Sequence, residues 1–127
     1  MNRWNMTTLT DVRGKDIIAA DGEKIGSVRD IFYDDTSGQP EWVSIGTGFL
    51  GMKERLVPVD LLEPAGERLQ VPFTKEKVQK EPDFDLENGV LKTQDEDRLY
   101  SYFSISGQPR HSTRVLRYDE DYRGTHL

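Results

Sequence analysis

Pro40-Glu-Trp-Val-Ser-Ile-Gly-Thr-Gly-Phe-Leu-Gly-Met-Lys-Glu-Arg-Leu-Val-Pro-Val59 is the stretch that decides the fold of this chain. Its glycines Gly46, Gly48 and Gly51 have the spacing G-x-G-x-x-G of a dinucleotide-binding loop. Such a loop must open a helix, because the helix N-terminus holds the pyrophosphate. Here the chain runs on into Leu56-Val-Pro-Val59, where β-branched valines favour a strand and the proline disfavours a helix. The stretch therefore predicts two strands joined by a glycine-rich hairpin.

Short strands on both sides of this hairpin complete the predicted fold. Asp21-Gly22 is a strong hairpin signal, and a further turn is expected at 34–38. The expected strands lie at 17–19, 24–34, 42–47, 55–59 and 69–73, with a short strand or turn at 60–63. Short strands with turns about every 8–12 residues are typical of small barrels. The sequence therefore predicts a mainly β protein, a small barrel of five or six short antiparallel strands.

Two irregularities are expected in this sheet. Val28 and Ile31 cannot share one face of a strand at a strict period of two. A β-bulge near Arg29-Asp30 is expected to place both inside. Pro58 lacks a backbone donor, which predicts that its strand lies at an edge of the sheet or ends early.

After Phe73 the pattern changes from strand to helix. Thr74 predicts the N-cap of a short helix over 75–79, and 83–92 is expected to be extended and polar. Thr93-Gln-Asp-Glu96 predicts a capping box that starts a second helix. The apolar stripe of that helix consists of Leu99, Tyr102 and Phe103. The two short helices are expected to pack on the barrel.

These patterns divide the chain into four parts. Residues 1–10 are expected to be a loose leader, 11–73 the barrel, and 74–106 a helical extension that packs on it. Residues 107–127 form a polar tail that is either disordered or held by a partner, with one possible strand at Val115-Leu116.

Composition excludes several classes of function. The net charge is −6 and no segment is strongly basic, which disfavours direct nucleic-acid binding. Such a protein can still join a ribonucleoprotein through the protein component. The chain has no cysteine, which excludes disulfides, thiol catalysis and Cys-type zinc sites. The N-terminus lacks a signal-peptide h-region, and no apolar run is long enough to span a bilayer. We therefore expect a cytoplasmic protein without a membrane span.

Candidate catalytic and metal-binding patterns are weak. The acidic stretch 83–89 suggests a calcium loop, but an EF-hand would need Gly in place of Asn88 and Glu in place of Gln94. His111 and His126 have no second ligand at metal spacing, and no serine lies in a G-x-S-x-G elbow. The sequence predicts no catalytic residue, no metal site and no cofactor, and therefore no enzyme.

Several motifs follow one another in a specific order. They are Asp21-Gly-Glu-Lys-Ile-Gly-Ser-Val28, Pro40-Glu-Trp-Val43, Thr47-Gly48, Phe49-Leu-Gly51, Val57-Pro-Val59, Val71-Pro-Phe73, Val78 with Glu81-Pro82, and the helix with Leu99-Tyr100 and Tyr102-Phe103. In this order they resemble the PRC-barrel superfamily, and in particular its small soluble bacterial members. The resemblance covers about residues 11–106. It implies a non-enzymatic adaptor, since members of this superfamily mostly act by binding other proteins.

Two other roles stay open from the same resemblance. One is a ribosome- or RNA-maturation factor, because such factors carry this domain. The other is a protein of photosynthetic electron transport, similar to the reaction-centre H subunit, in which surface carboxylates help to deliver protons to a quinone. Those carboxylates have no assignable counterparts in this chain.

The candidate interaction surface consists of Trp42, Phe49, Leu50 and Met52. On the expected register Trp42 faces away from Val43, so it is either covered by the C-terminal helix or exposed as an aromatic anchor. Apolar side chains at a turn tip are costly in water, so Phe49-Leu50 is expected either to fold back on the barrel or to contact a partner. The expected partners are a second copy of the chain and an unidentified protein.

Overall fold

The computed structural model describes residues 4–48, 52–103 and 115–118. In chain order the elements are α1 (Met6–Thr10), β1 (Asp16–Ile18), β2 (Lys24–Asp34), β3 (Pro40–Thr47), β4 (Lys53–Pro58), a 3₁₀ turn (Val59–Leu61), β5 (Glu63–Ala65), β6 (Arg68–Gln70), α2 (Lys75–Gln79), β7 (Leu86–Glu87), β8 (Val90–Leu91), α3 (Thr93–Tyr102) and β9 (Val115–Arg117). The protein is mainly β, as predicted.

The long strand β2 organises one branched sheet. Antiparallel β3 pairs along its length, and β4 pairs with the far side of β3. On the opposite side of β2, β1 pairs with the first part of the strand and β9 with its last part. Two short branches then extend the sheet, β6 and β5 from β1, and β8 and β7 from β9.

The predicted barrel of five or six antiparallel strands is wrong in number and in closure. The described residues form nine strands, and β1 pairs with β6 in parallel. Among these residues no pairing joins β4 to β5, so the sheet is not closed by hydrogen bonds. The additional strands β5, β7, β8 and β9 contain two or three residues each, which is too short for an alternating pattern to be visible.

The predicted β-bulge is confirmed in β2. Val28 pairs with Ile45 and Ile31 with Val43, so three steps along β2 correspond to two along β3. Both Val28 and Ile31 are buried. The hydroxyl of Ser44, which is itself buried, accepts a hydrogen bond of 3.1 Å from the Asp30 amide inside the bulge. The bulge therefore keeps both side chains in the core and satisfies one of the donors that it frees.

The core has two parts. The first lies inside the curved sheet and contains the apolar residues of β1, β2, β3 and β4 with those of α1 and α2. The second lies on the other face of β3, below α3, and contains Phe32, Trp42, Leu56, Leu91, Leu99, Phe103 and Val115. Strand β3 is buried on both faces, which is why Trp42 and Ser44 are as inaccessible as Val43 and Ile45.

The expected loose leader at 1–10 is wrong for residues 4–10. Asn5 caps α1, with its side-chain oxygen 2.9 Å from the Thr8 amide. Leu9 is fully buried, and the indole nitrogen of Trp4 donates to the Leu62 carbonyl at 3.0 Å. A helix of five residues is too short to show helical periodicity, so the sequence gives no sign that this segment belongs to the core.

The expected polar stretch at 83–92 contains a hairpin. Asn88 and Gly89 have φ values of 53° and 80° and connect β7 to β8. Positive φ at both central residues is the requirement of a type I′ turn, and Asn-Gly is the preferred pair for it. The hairpin ends at Leu91, which is buried in the second part of the core.

The expected tail at 107–127 is also partly wrong. The possible strand at Val115-Leu116 is confirmed as β9, which pairs with β2 on one side and β8 on the other. Val115 is buried, and Arg117 bonds to Asp30 on β2 at 2.6 Å. Residues 107–114 and 119–127 of the tail lie outside the described residues.

Candidate interaction surface

Trp42 is buried, so the hypothesis of an exposed anchor is wrong for this residue. Its exposure is 0%, and α3 covers it. The indole ring lies 4.8 Å from the ring of Tyr100 and 6.4 Å from that of Phe103, measured between centroids. The indole nitrogen donates to the Glu96 carboxyl at 3.2 Å. The alternative that the C-terminal helix covers Trp42 is therefore the one that the structure bears out.

The predicted capping box at Thr93 is absent, because Glu96 has a different partner. Helix α3 begins at Thr93, Lys92 occupies the N-cap, and no side chain caps the first turn. The Glu96 carboxyl reaches across to Trp42 instead. The neighbouring Asp95 carboxyl accepts a 3.0 Å hydrogen bond from the Asp85 amide and also pairs with Arg98. Both acidic side chains in the first turn of α3 thus accept hydrogen bonds from residues outside the helix.

The expected cap of the shorter helix is confirmed. The Thr74 hydroxyl accepts from the Lys77 amide at 3.0 Å, at the start of α2. Val78 is the residue of α2 that enters the core. At the other end of the helix the chain turns towards β4 through Glu81.

Glu81 is a buried carboxyl at the edge of the sheet. Its exposure is 3%, and one of its oxygens accepts a hydrogen bond of 2.6 Å from the Leu56 amide. The other oxygen has no hydrogen-bond partner among the described residues. Burial raises the pKa of Glu81 from 4.5 to about 8, although the Leu56 amide and the Arg55 cation oppose that change. The carboxyl is therefore neutral near pH 7.

A buried cation lies beside this carboxyl. Arg55 is 7% exposed and donates to Asp83 at 3.1 Å. The same Asp83 oxygen is 3.9 Å from the Lys53 ammonium group. The Nε atom of Arg55 has no partner among the described residues. The segment that follows α2 is thus fastened to β4 at two adjacent points, by Glu81 and by Asp83.

One set of polar contacts in the structure has no counterpart among the sequence predictions. Its members are Arg55, Glu81, Asp83, Asp95 and Glu96. Charged residues normally lie in solvent, so the burial of every member except Asp83, which is exposed, has no sign in the sequence. The one available signal is Glu81-Pro82, which belongs to the motifs that resemble the PRC-barrel pattern.

Strand β4 is the edge strand that Pro58 predicted. Its far side pairs with no described strand. Because the Leu56 amide points to Glu81, the backbone groups of Glu54, Leu56 and Pro58 face outward by strand alternation. Proline has no donor and the Leu56 donor is occupied. The edge is consequently protected from pairing with another strand over most of its length.

Met52 lies at the start of this edge strand and is the exposed member of the candidate surface. It is 78% exposed. No other large hydrophobic residue in the described part of the chain is exposed. It borders a groove of about 500 Å³ between β4 and the segment before β7. The groove is lined by Met52, Lys53, Glu54, Arg55, Asp83, Phe84, Asp85 and Leu86. Phe49 and Leu50 lie outside the described residues.

Neither a metal site nor a membrane-spanning helix is found in residues 4–48, 52–103 and 115–118. No three His, Cys, Asp or Glu side chains in these ranges are grouped closely enough to hold a metal ion. In the acidic stretch 83–89, Asp83 is engaged with Lys53 and Arg55, and Asn88-Gly89 forms the hairpin turn. No helix of these ranges has the length and apolar composition needed to cross a bilayer. His111 and His126 lie outside the described residues.

The fold and the surface define a small mainly β domain whose C-terminal segment is fastened across one edge of its sheet. The chain belongs to the PRC-barrel domain family, whose model matches residues 5–78. The match begins at Asn5, the N-cap of α1, and ends at Val78 in α2. No curated protein matches the chain. Residues 79–118, which carry Glu81 and α3, lie beyond the part that the family model describes.

Proposed function

We propose that this PRC-barrel protein is a non-enzymatic interaction module that pairs with a second copy of itself and binds another protein. Domains of this family often mediate protein interactions. The observation that carries the proposal is the exposure of Met52 beside the groove between β4 and residues 83–86. Phe49 and Leu50, the other apolar members of the candidate surface, precede it in the sequence by three and two residues.

The chemistry of the groove favours protein as its ligand. Half-buried Phe84 and Leu86 lie next to Met52, with charged side chains at the borders. Methionine is flexible and adapts to different partner surfaces. An apolar centre with a charged rim is the usual composition of a protein interface. Transfer of the Met52 side chain from water to such an interface is favourable by about 1.5–3 kcal/mol.

The mode of contact follows from the edge of β4. Strand addition needs free backbone donors and acceptors, but Pro58 has no donor and Glu81 occupies that of Leu56. Association at this end of the molecule is therefore expected to use side chains rather than a continuous sheet. A change in one side chain should weaken it, while the fold stays intact.

Light scattering over a concentration series tests the proposal. The wild-type protein is expected to approach twice the chain mass of 14.6 kDa as concentration rises. Met52→Ser should raise the dissociation constant about tenfold, equivalent to about 1.4 kcal/mol. Gln79→Ser is the matched control, because Gln79 is exposed on α2 and does not line the groove. A wild-type protein that stays monomeric at every concentration would contradict the self-association.

A further inference from the structure

Glu81 lies between helix α2, which belongs to the first part of the core, and the C-terminal segment that packs in the second part. The residue follows Lys80, the C-cap of α2, and begins the segment that leads to the β7–β8 hairpin and α3. Its carboxyl reaches the outer edge of β4 and accepts the Leu56 amide at 2.6 Å. That amide cannot bond to β3, because the inward positions of β4 are its neighbours Arg55 and Val57. Glu81 is thus its sole hydrogen-bond partner among the described residues.

The surroundings of Glu81 suit a neutral carboxyl group. It is 3% exposed, and one of its two oxygens has no hydrogen-bond partner among the described residues. A charge buried with one hydrogen bond is costly, whereas the protonated group needs fewer partners. The cation that acts on Glu81 is Arg55, which donates to Asp83 through one terminal nitrogen while its Nε has no partner among the described residues. The Tyr102 hydroxyl donates to the Lys77 carbonyl at 2.6 Å and so is not directed to Glu81.

The other charged and titratable groups around this position come from three elements. They are Arg55 on β4, Glu76 on α2, Lys80 and Asp83 in the flanking segment, and Tyr102 on α3. Arg55 favours the ionised form of Glu81, and Asp83 disfavours it. Asp83 is 84% exposed, so solvent screens its charge. Burial is the largest of these effects on Glu81.

We propose that Glu81 is a proton-controlled clasp. In its neutral form it holds the segment after α2 against the edge of β4, and loss of the proton loosens that segment. When the clasp is open, Glu81 is in water, where its pKa returns to its ordinary value of 4.5. When it is closed, the pKa is about 8. The opening exposes the Leu56 amide without breaking the β3–β4 ladder.

The direction of the pH effect follows from these two values. Below about pH 4.5 both states hold the proton, so closure is strongest there. Between about pH 4.5 and 8 the closed state holds a proton that the open state has lost, and closure weakens by up to about tenfold per pH unit. Above about pH 8 both states are ionised and the dependence ends. The clasp is therefore tighter in acid than at neutral pH.

Hydrogen exchange of the Leu56 amide, followed by NMR in the full chain, tests this directly. In the wild type its protection factor should fall by up to about a hundredfold between pH 6 and 8. In Glu81→Gln, which keeps an oxygen acceptor but cannot ionise, the protection factor should be independent of pH over this range. Glu76→Gln is the matched control, because it removes an exposed carboxylate from α2 and should leave the wild-type dependence unchanged.

Two further readouts can overturn the proposal. The Val57 amide points into the ladder with β3 and should be better protected than Leu56 throughout; equal protection would mean that only global unfolding exposes Leu56. The carboxyl-carbon shift of Glu81 in the wild type should titrate well above 4.5. A midpoint at or below 4.5 would show that the carboxylate is stable in place, beside Arg55, and would remove the clasp even if Glu81→Gln failed to fold.

Discussion

The hydrogen bond between Trp42 and Glu96 is the contact that most clearly makes α3 part of the domain. It joins β3 to a helix 54 positions away in sequence, and both residues are buried. Trp42→Phe removes the indole donor and leaves a cavity beside the Glu96 carboxyl. A lost hydrogen bond to a buried polar group costs about 1–3 kcal/mol, and the cavity adds roughly 1 kcal/mol. We expect a total destabilisation of about 2–4 kcal/mol.

A double-mutant cycle separates the hydrogen bond from the cavity. Glu96→Gln keeps an oxygen acceptor in place and should cost about 1 kcal/mol alone. The two changes together should cost less than their sum, by up to about 1 kcal/mol, because each removes part of the same interaction. Urea unfolding followed by far-UV circular dichroism measures the four free energies. This signal is preferable to fluorescence because one tryptophan is being replaced.

Trp4→Phe provides the matched control. Trp4 is also buried and donates through its indole nitrogen, but its acceptor is the Leu62 carbonyl in the other part of the core. Its effect and that of Glu96→Gln should be additive. A coupling energy of zero between Trp42→Phe and Glu96→Gln would refute the reasoning, since it would mean that the helix is not held by this contact.

Three other predictions concern the fold. Gly26→Ala should destabilise by about 1–3 kcal/mol in urea unfolding, because an added Cβ would lie 2.3 Å from the Gly46 carbonyl oxygen; an unchanged midpoint would contradict this. Asn5→Ala should cost about 1 kcal/mol through loss of the α1 cap, whereas a loose leader would give no change. A chain ended at residue 78 should lack a cooperative transition, because it exposes Trp42 and its buried neighbours; cooperative unfolding of that piece would show that the extension is dispensable.

The parts of the fold that the sequence predicts well are those with a strict local rule. The bulge follows from the positions of Val28 and Ile31 relative to a period of two. The edge position of β4 follows from the missing donor of Pro58. The glycine-rich stretch links two strands, as its sequence predicts, since β3 and β4 pair antiparallel on either side of it. In each case a single backbone requirement decides the result.

The errors arise where tertiary contacts outweigh local patterns. Thr93 has the sequence of a capping residue, but the N-cap is Lys92 and the Glu96 carboxyl accepts from the Trp42 indole. Strands of two or three residues, such as β7 and β9, form because a neighbouring strand offers backbone groups to which they can hydrogen-bond. The burial of Glu81 follows from no local pattern, because it depends on where β4 lies in space.

Two residues of the candidate surface differ in burial because their surroundings differ. An apolar side chain next to a hairpin tip has few neighbours that can cover it, and Met52 is exposed. Trp42 lies in the middle of a strand with a helix available to cover it, and it is buried. Residue type alone does not distinguish the two, because both are large and apolar.

The proposed pairing of two copies through the Met52 surface is the central claim about function. The chain contains no cysteine, so Met52→Cys offers a unique site for a spin label, and Gln79→Cys offers an exposed reference site on α2. Because the label replaces a side chain of the proposed interface, light scattering must first find a concentration at which each labelled protein is itself a dimer. Pulsed electron paramagnetic resonance at that concentration should give a short, narrow intermolecular distance for the label at 52 and a longer one for that at 79. A longer distance at 52 than at 79, or no intermolecular coupling at 52, would contradict the account.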